Sequence, residues 1–172
     1  MVAHEAAKYA PMKTCRSVSI QTEDFDLTAE AASLREGDGG IGAVVAFVGT
    51  VRDAADGRPV QLMELEHYPG MTESAIAGMI DQAFERFEVR AARVIHRVGA
   101  LAARDQIVLV LVASRHRGQA FEACEFLMDY LKTQAPFWKK EHGPEGAQWV
   151  DAREADDAAL ARWGVNSRNG AV

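Results

Sequence analysis

Six basic or titratable side chains, Arg52, His116, Arg117, Lys132, Lys139 and Arg153, stand where the chain is predicted to change direction. Each falls at the end of a predicted helix or strand, and element ends and loops are where binding and catalytic groups concentrate. Their types suit an anionic substrate. Arginine forks grip phosphate through paired hydrogen bonds, and an imidazole donates to phosphate or shuttles a proton. A lysine crowded by other cations loses proton affinity, because its charged form is repelled. It can then work as acid, base or nucleophile near neutral pH. Taken singly, each residue has a plainer reading. A lysine at a helix end is a solvated cap favoured by the dipole, Arg52 and Arg153 are surface ion partners, and His116 is structural or exposed.

Four of these groups lie in one stretch, residues 114–141, which opens Ser114-Arg-His-Arg117 and closes Ala135-Pro-Phe-Trp-Lys-Lys-Glu141. Between the ends, Ala120, Phe121, Cys124, Leu127, Met128 and Leu131 recur at steps of three and four, the buried stripe of a helix. Pro136 discourages the helix from passing Ala135. His116 and Arg117 therefore precede a predicted helix, and Lys132 and Lys139 stand at and beyond its far end. Whether the two ends meet depends on the fold.

The elements that must position these groups follow from periodicity. Residues 17–22 alternate as a first strand, and Asp26 supplies a cap for a short helix running to about Leu34. Residues 41–51 are apolar and β-branched, predicting a buried strand in which Gly42 and Gly49 permit close backbone approach. A polar loop at 53–59 carries a mobile Asp56-Gly57 tip, and 60–68 returns as a strand broken by Pro69-Gly70. From Met71, the positions Ala75, Ile76, Met79, Ile80, Ala83, Phe84 and Phe87 predict an amphipathic helix. Two more strands follow at 91–98 and 106–114, the second continuous enough in Ile, Val and Leu to be central in a sheet. After the 114–141 stretch come a short strand at 148–153 and a helix at 156–163. Phe137-Trp138 is read as packing a core edge or a partner surface. Strands and helices mix without strict alternation, so the fold class is α+β.

Composition limits the function. The 172 residues fit one domain, 17–164, between a disordered extension at 1–16 and a flexible tail at 165–172. A net charge of −6 argues against broad nucleic-acid binding, which calls for a basic domain. No stretch approaches the roughly 20 apolar residues of a membrane span, so no membrane partner is expected. Two cysteines, Cys15 and Cys124, form no disulfide framework and suit a reducing cytoplasm, with Cys124 a small core residue. His67 and His96 lack zinc-ligand spacing, so no metal site is expected. Phosphate-cradling glycine loops and nucleophile elbows are absent.

Several motifs taken in order go further: Phe47-Val-Gly-Thr-Val-Arg52, Leu65-Glu-His-Tyr-Pro-Gly-Met71, His96-Arg-Val-Gly-Ala-Leu101, Ser114-Arg-His-Arg117 with Ala120-Phe121, and Leu131-Lys132 with Ala135-Pro-Phe-Trp-Lys139. Together with Trp149-Val150 and Arg153, this order resembles the MoaE family, the catalytic subunits of molybdopterin synthase, from about Val18 to Trp163. The resemblance implies an α/β-hammerhead with a flanking α+β part. It implies conversion of a cyclic pyranopterin monophosphate, precursor Z, into molybdopterin by installing a dithiolene. Sulfur would come from the C-terminal thiocarboxylate of a small ubiquitin-like MoaD-type partner, within a heterotetramer built on a homodimer, and no cofactor is implied. Residue by residue, Lys132 and Lys139 match the family's essential lysines. Arg52, His116 and Arg117 match its anion-binding groups, with Arg153 a further candidate. Phe47 and Met128 match positions near the active site, and Glu141 is placed to orient a lysine. One departure is Ala103-Arg104-Asp105, where the family commonly turns on Gly-Asp. The competing readings are a non-catalytic module docking a ubiquitin-like protein through Phe137 and Trp138, and an enzyme acting on another phosphorylated heterocycle.

Overall fold

The computed structural model describes residues 15–55, 57–150 and 154–165 and has an α+β fold. Along the chain the first elements are β1 (Cys15–Gln21), α1 (Leu27–Arg35), β2 (Ala43–Thr50), β3 (Ala54–Ala55), β4 (Arg58–Pro59) and β5 (Leu62–His67). Next come α2 (Met71–Arg86), β6 (Val89–Arg97), β7 (Gly99–Ala102) and β8 (Gln106–Ser114). The chain closes with α3 (Arg117–Gln134), β9 (Phe137–Gly143), β10 (Gly146–Val150) and α4 (Glu154–Ala161).

A four-stranded sheet in the order β1-β6-β8-β2 carries the main core. β8 is interior, as its apolar run requires, because both of its faces are covered. Val108, Val110 and Val112 pack with α2 and α3, while Leu109, Leu111 and Ala113 pack with Phe25 and Leu34 around α1. Alternate residues point to opposite faces of a strand, so a continuous apolar run needs exactly two apolar neighbours, one per face. The Asp26 carboxylate caps α1, accepting from the backbone N–H of Thr28 at 2.8 Å and of Ala29 at 3.1 Å. β1 begins at Cys15, two residues before the expected start, and residues 1–14 and 166–172 of the predicted extension and tail lie outside the described residues.

The run at 41–51 departs from expectation. Among the described residues β2 is an edge strand paired only with β8, and Ala46 and Phe47 are exposed. Val45 packs with the α2–α3 core and Val44 and Val48 with the α1 core, so both faces are apolar, as in a central strand. The two glycines do provide close approach. A Cβ on Gly42 would sit 2.3 Å from the Arg115 carbonyl oxygen, and one on Gly49 would sit 2.7 Å from the Val108 side chain.

The second sheet, ordered β10-β9-β5-β7, is antiparallel throughout. Its inward residues Met63, Leu65 and Leu101 join Val51, Ala55 and Val60 in a smaller core. β9 and β7 were not expected, and the predicted strand at 148–153 is observed as β10 at 146–150, with 151–153 outside the described residues. The loop at 53–59 holds the short ladder β3–β4, anchored to the second sheet where Arg58 donates to the Gln148 side chain at 2.7 Å.

Aromatic packing ties the helices together. The fully buried Phe126 ring on α3 meets Phe87, Tyr130 and Trp163 edge-on at centroid distances of 5.7, 5.4 and 5.6 Å. Trp163 also donates its indole N–H to Asp129 at 2.8 Å, which holds the segment after α4 against α3. Cys124 is buried in the same core, as its place on the helical stripe implied.

Candidate active site

A cavity of about 720 Å³ opens between the two sheets, beside the C-terminal turns of α3. Each wall follows from a local rule. α3 ends because Ala135, the residue before Pro136, takes an extended conformation (φ −77°, ψ 128°). The last helical turn consequently presents Lys132 at the cavity, next to Leu131 and one turn after Met128. The chain then reverses into β9, whose alternation sends Phe137, Lys139 and Glu141 to the cavity and turns Trp138 outward, 47% exposed. The expected Phe137-Trp138 unit is therefore divided between two faces, and only Trp138 is presented for docking.

The reversal is anchored from behind. The buried Thr72 hydroxyl at the start of α2 donates to the Pro136 carbonyl at 3.1 Å and accepts from the Tyr68 backbone N–H at 3.0 Å. The Phe137 ring lies flat on His96, with centroids 3.8 Å apart and planes inclined by 19°. Opposite, β2 brings Phe47 and Gly49 to the wall, and its pairing with β8 shifts register between Gly49 and Thr50. Val51 is pinned on both backbone groups, its N–H to Asp105 at 2.9 Å and its carbonyl from Arg104 at 2.8 Å. Pinning Val51 sets where Arg52 leaves the strand and reaches the cavity.

Of the residues singled out in the sequence, Phe47, Arg52, Met128, Lys132, Lys139 and Glu141 line this one cavity. The Lys139 ammonium lies 3.2 Å from a Glu141 carboxylate oxygen, with their side chains 30% and 17% exposed. An ion pair between positions i and i+2 of one strand face holds the lysine in a defined direction, as the orienting reading of Glu141 requires. His116 and Arg117 are exposed at the N-terminal end of α3 and are not brought to the cavity within this chain. Fifteen residues of helix separate Arg117 from Lys132, about 22 Å along the axis. Arg153 lies outside the described residues.

His96 is a wall residue that opens the His96–Leu101 motif and was weighed as a zinc ligand, but was not among the site residues singled out in the sequence. Its signal was present, because it continues the inward row Ala92, Val94 of β6, both fully buried. Burial pushes its pKa down to about 4, so the imidazole is neutral. Among the described residues, no three His, Cys, Asp or Glu side chains gather as metal ligands. The cavity can therefore hold an anion on two lysines and an arginine, enclose a flat apolar body between Phe47, Phe137 and the Met63–Leu65 wall, and move protons through its amines.

Known proteins resemble this chain over most of its length. The model of the family described as "MoaE protein" matches residues 20–134. The chain is 61% identical over 153 residues to the molybdopterin synthase catalytic subunit of Ralstonia nicotianae, covering 89% of this chain and 87% of that one. It is 53% identical over 146 residues to the subunit of the same name from Vibrio cholerae, covering 85% and 97%. Among solved structures, the molybdopterin biosynthesis MoaE protein from Burkholderia ambifaria superposes with a TM-score of 0.76 at 56% identity, covering 88% of this chain and 99% of that one. With its matching motifs, its fold and a cationic cavity assembled from those motifs, the chain belongs to the MoaE family.

Proposed function

We propose that this chain is the catalytic subunit of a molybdopterin synthase. It takes a cyclic pyranopterin monophosphate, precursor Z, and builds the dithiolene with sulfur from the C-terminal thiocarboxylate of a small MoaD-type subunit. The observation that carries this reading is the convergence of Lys132 from α3, Lys139 from β9 and Arg52 from the end of β2 on one cavity. The cations hold the phosphate, and preorganised positive charge is worth most where negative charge develops in the transition state. Opening the cyclic phosphate as sulfur attacks requires a proton donor, and the lysine amines are the cavity groups suited to it. Lys139, directed by Glu141, is assigned proton transfer, and Lys132 anchoring of the intermediate. Phe47 and Met128 line the wall against the heterocycle.

The thiocarboxylate supplies the nucleophilic sulfur, so the chain needs no reactive thiol of its own, and two unpaired cysteines suit the cytoplasm. The working assembly is a homodimer carrying a small subunit on each copy. His116 and Arg117 hold phosphate in this reading, and their place at the far end of α3 makes that role one exercised across copies. Arg153 is a further candidate for the same task.

The test is reconstitution with precursor Z and a thiocarboxylated MoaD-type partner. Wild type forms the dithiolene product, and Lys139→Ala loses turnover by at least about a hundredfold while keeping its circular dichroism spectrum and melting temperature. A Lys139→Ala protein with normal turnover refutes the assignment. A stable complex that yields no product with wild type would instead make this a docking module.

A further inference from the structure

The position of His96 carries an inference beyond the cationic groups, and it rests on the function proposed above. On β6, Ala92, Val94 and His96 form one row, and the first two are fully buried between the sheet and the helices. At His96 that core opens into the cavity, so an imidazole stands where a further aliphatic side chain would close the packing.

The ring is held in two ways. Its Nδ1 lies 2.9 Å from the Arg97 carbonyl oxygen, and its face is stacked on Phe137. A carbonyl oxygen can only accept, so Nδ1 carries the proton and Nε2 presents a bare lone pair. Nothing among the described residues donates to Nε2. Enclosure and the neighbouring His67 both disfavour the imidazolium, so Nε2 stays an acceptor at physiological pH. His96 is only half-buried where it meets the cavity, so an acceptor with no protein donor there is open to a donor brought by a ligand.

The charged side chains of the cavity do not answer this need. Lys139 is turned to Glu141, and that pair also occupies the only carboxylate on the wall among the described residues. Arg52 and Lys132 are donors suited to the phosphate. A reduced pterin, by contrast, brings its own donors: an exocyclic amine and ring N–H groups, on the part of the molecule away from its phosphate. We propose that His96 is a substrate-contacting residue whose Nε2 accepts a hydrogen bond from an N–H of the pterin, orienting the heterocycle against the Phe137 wall while the cations hold the phosphate.

The test uses His96→Phe, which keeps an aromatic ring to stack on Phe137 and removes the Nε2 acceptor together with the Nδ1 hydrogen bond to the Arg97 carbonyl. With thiocarboxylated partner present, KM for precursor Z rises about tenfold while kcat stays within about twofold. Unchanged KM overturns the inference. So does a fall in kcat alone, which would make His96 a brace for β9 and Lys139. Wild type is run alongside: wild-type activity with an unaffected variant sinks this inference only, whereas an inactive wild type sinks the proposed function and this inference with it. If His96→Phe does not fold, the wild-type complex with ¹⁵N-labelled histidine decides. Adding precursor Z moves the Nε2 resonance of His96 upfield, as hydrogen-bond acceptance requires, and a resonance that does not move overturns the inference.

Discussion

His96 also sets part of the protein's response to acid. A histidine in an unfolded chain titrates near 6.5, whereas burial holds this one to about 4. As pH falls through 6.5 the unfolded chain takes up a proton that the native protein refuses until about pH 4. Native stability is therefore full above 6.5 and declines between 6.5 and 4, by roughly 3 kcal/mol from this group. The Asp24 carboxylate, held down by the Phe25 backbone N–H, and the Asp38 carboxylate, held down by Arg90, act in a lower window. Their contribution survives above the ordinary aspartate range and is lost only below it. Urea midpoints at pH ~7 and ~4.5 should fall steeply in wild type and much less in His96→Phe. Parallel declines in the two proteins would contradict the buried neutral imidazole.

At the scale of elements, the sequence was legible wherever the inward face was apolar. α2, α3, β5 and β8 stand close to their predicted places because their buried positions are aliphatic at the right period. β9 was invisible for the opposite reason. Its inward residues Lys139 and Glu141 face a cavity, and its outward Trp138 is exposed, so the usual polar alternation is inverted at the site itself. β7 is four residues of Gly, Ala and Leu, with no β-branched signal to read. The edge position of β2 was equally hidden, since apolar contacts on both faces leave no mark that distinguishes it from a central strand. The turn at Ala103-Arg104-Asp105 was flagged as unusual, and there Arg104 has a φ of 76°, in the left-handed region that favours glycine. The turn is kept by the Asp105 side chain accepting from the Ala102 N–H at 2.9 Å. Arg104→Gly should raise stability by about 0.5–1 kcal/mol, less than the full left-handed penalty because glycine also loosens the unfolded chain. Thermal melts measure this, and a lower melting temperature would show that the arginine side chain contributes more than its backbone costs.

For the whole molecule, the length of α3 is the governing dimension. It carries His116 and Arg117 at one end and Lys132 at the other, so one copy cannot offer both ends to one substrate. If the proposed dimer shares these groups, two inactive proteins can restore each other. Co-expressed Lys139→Ala and Arg117→Ala chains form mixed dimers in which one site has lost both groups and the other has lost neither. Random pairing then recovers about a quarter of wild-type activity. No recovery, from two variants each inactive alone, would place both groups on the same copy. The placement of the two thiols has a consequence of its own. Cys124 is sealed in the helix core, where burial pushes its thiol up to about 11, so almost none of it is thiolate. Cys15 is exposed, but its register opposite Ala91 sets it five residues along β6 from His96, about 17 Å from the cavity wall. The enzyme consequently has nowhere to park a sulfur atom between turnovers. Each sulfur atom of a finished dithiolene must therefore arrive on a carrier, and two loaded carriers are spent for each product.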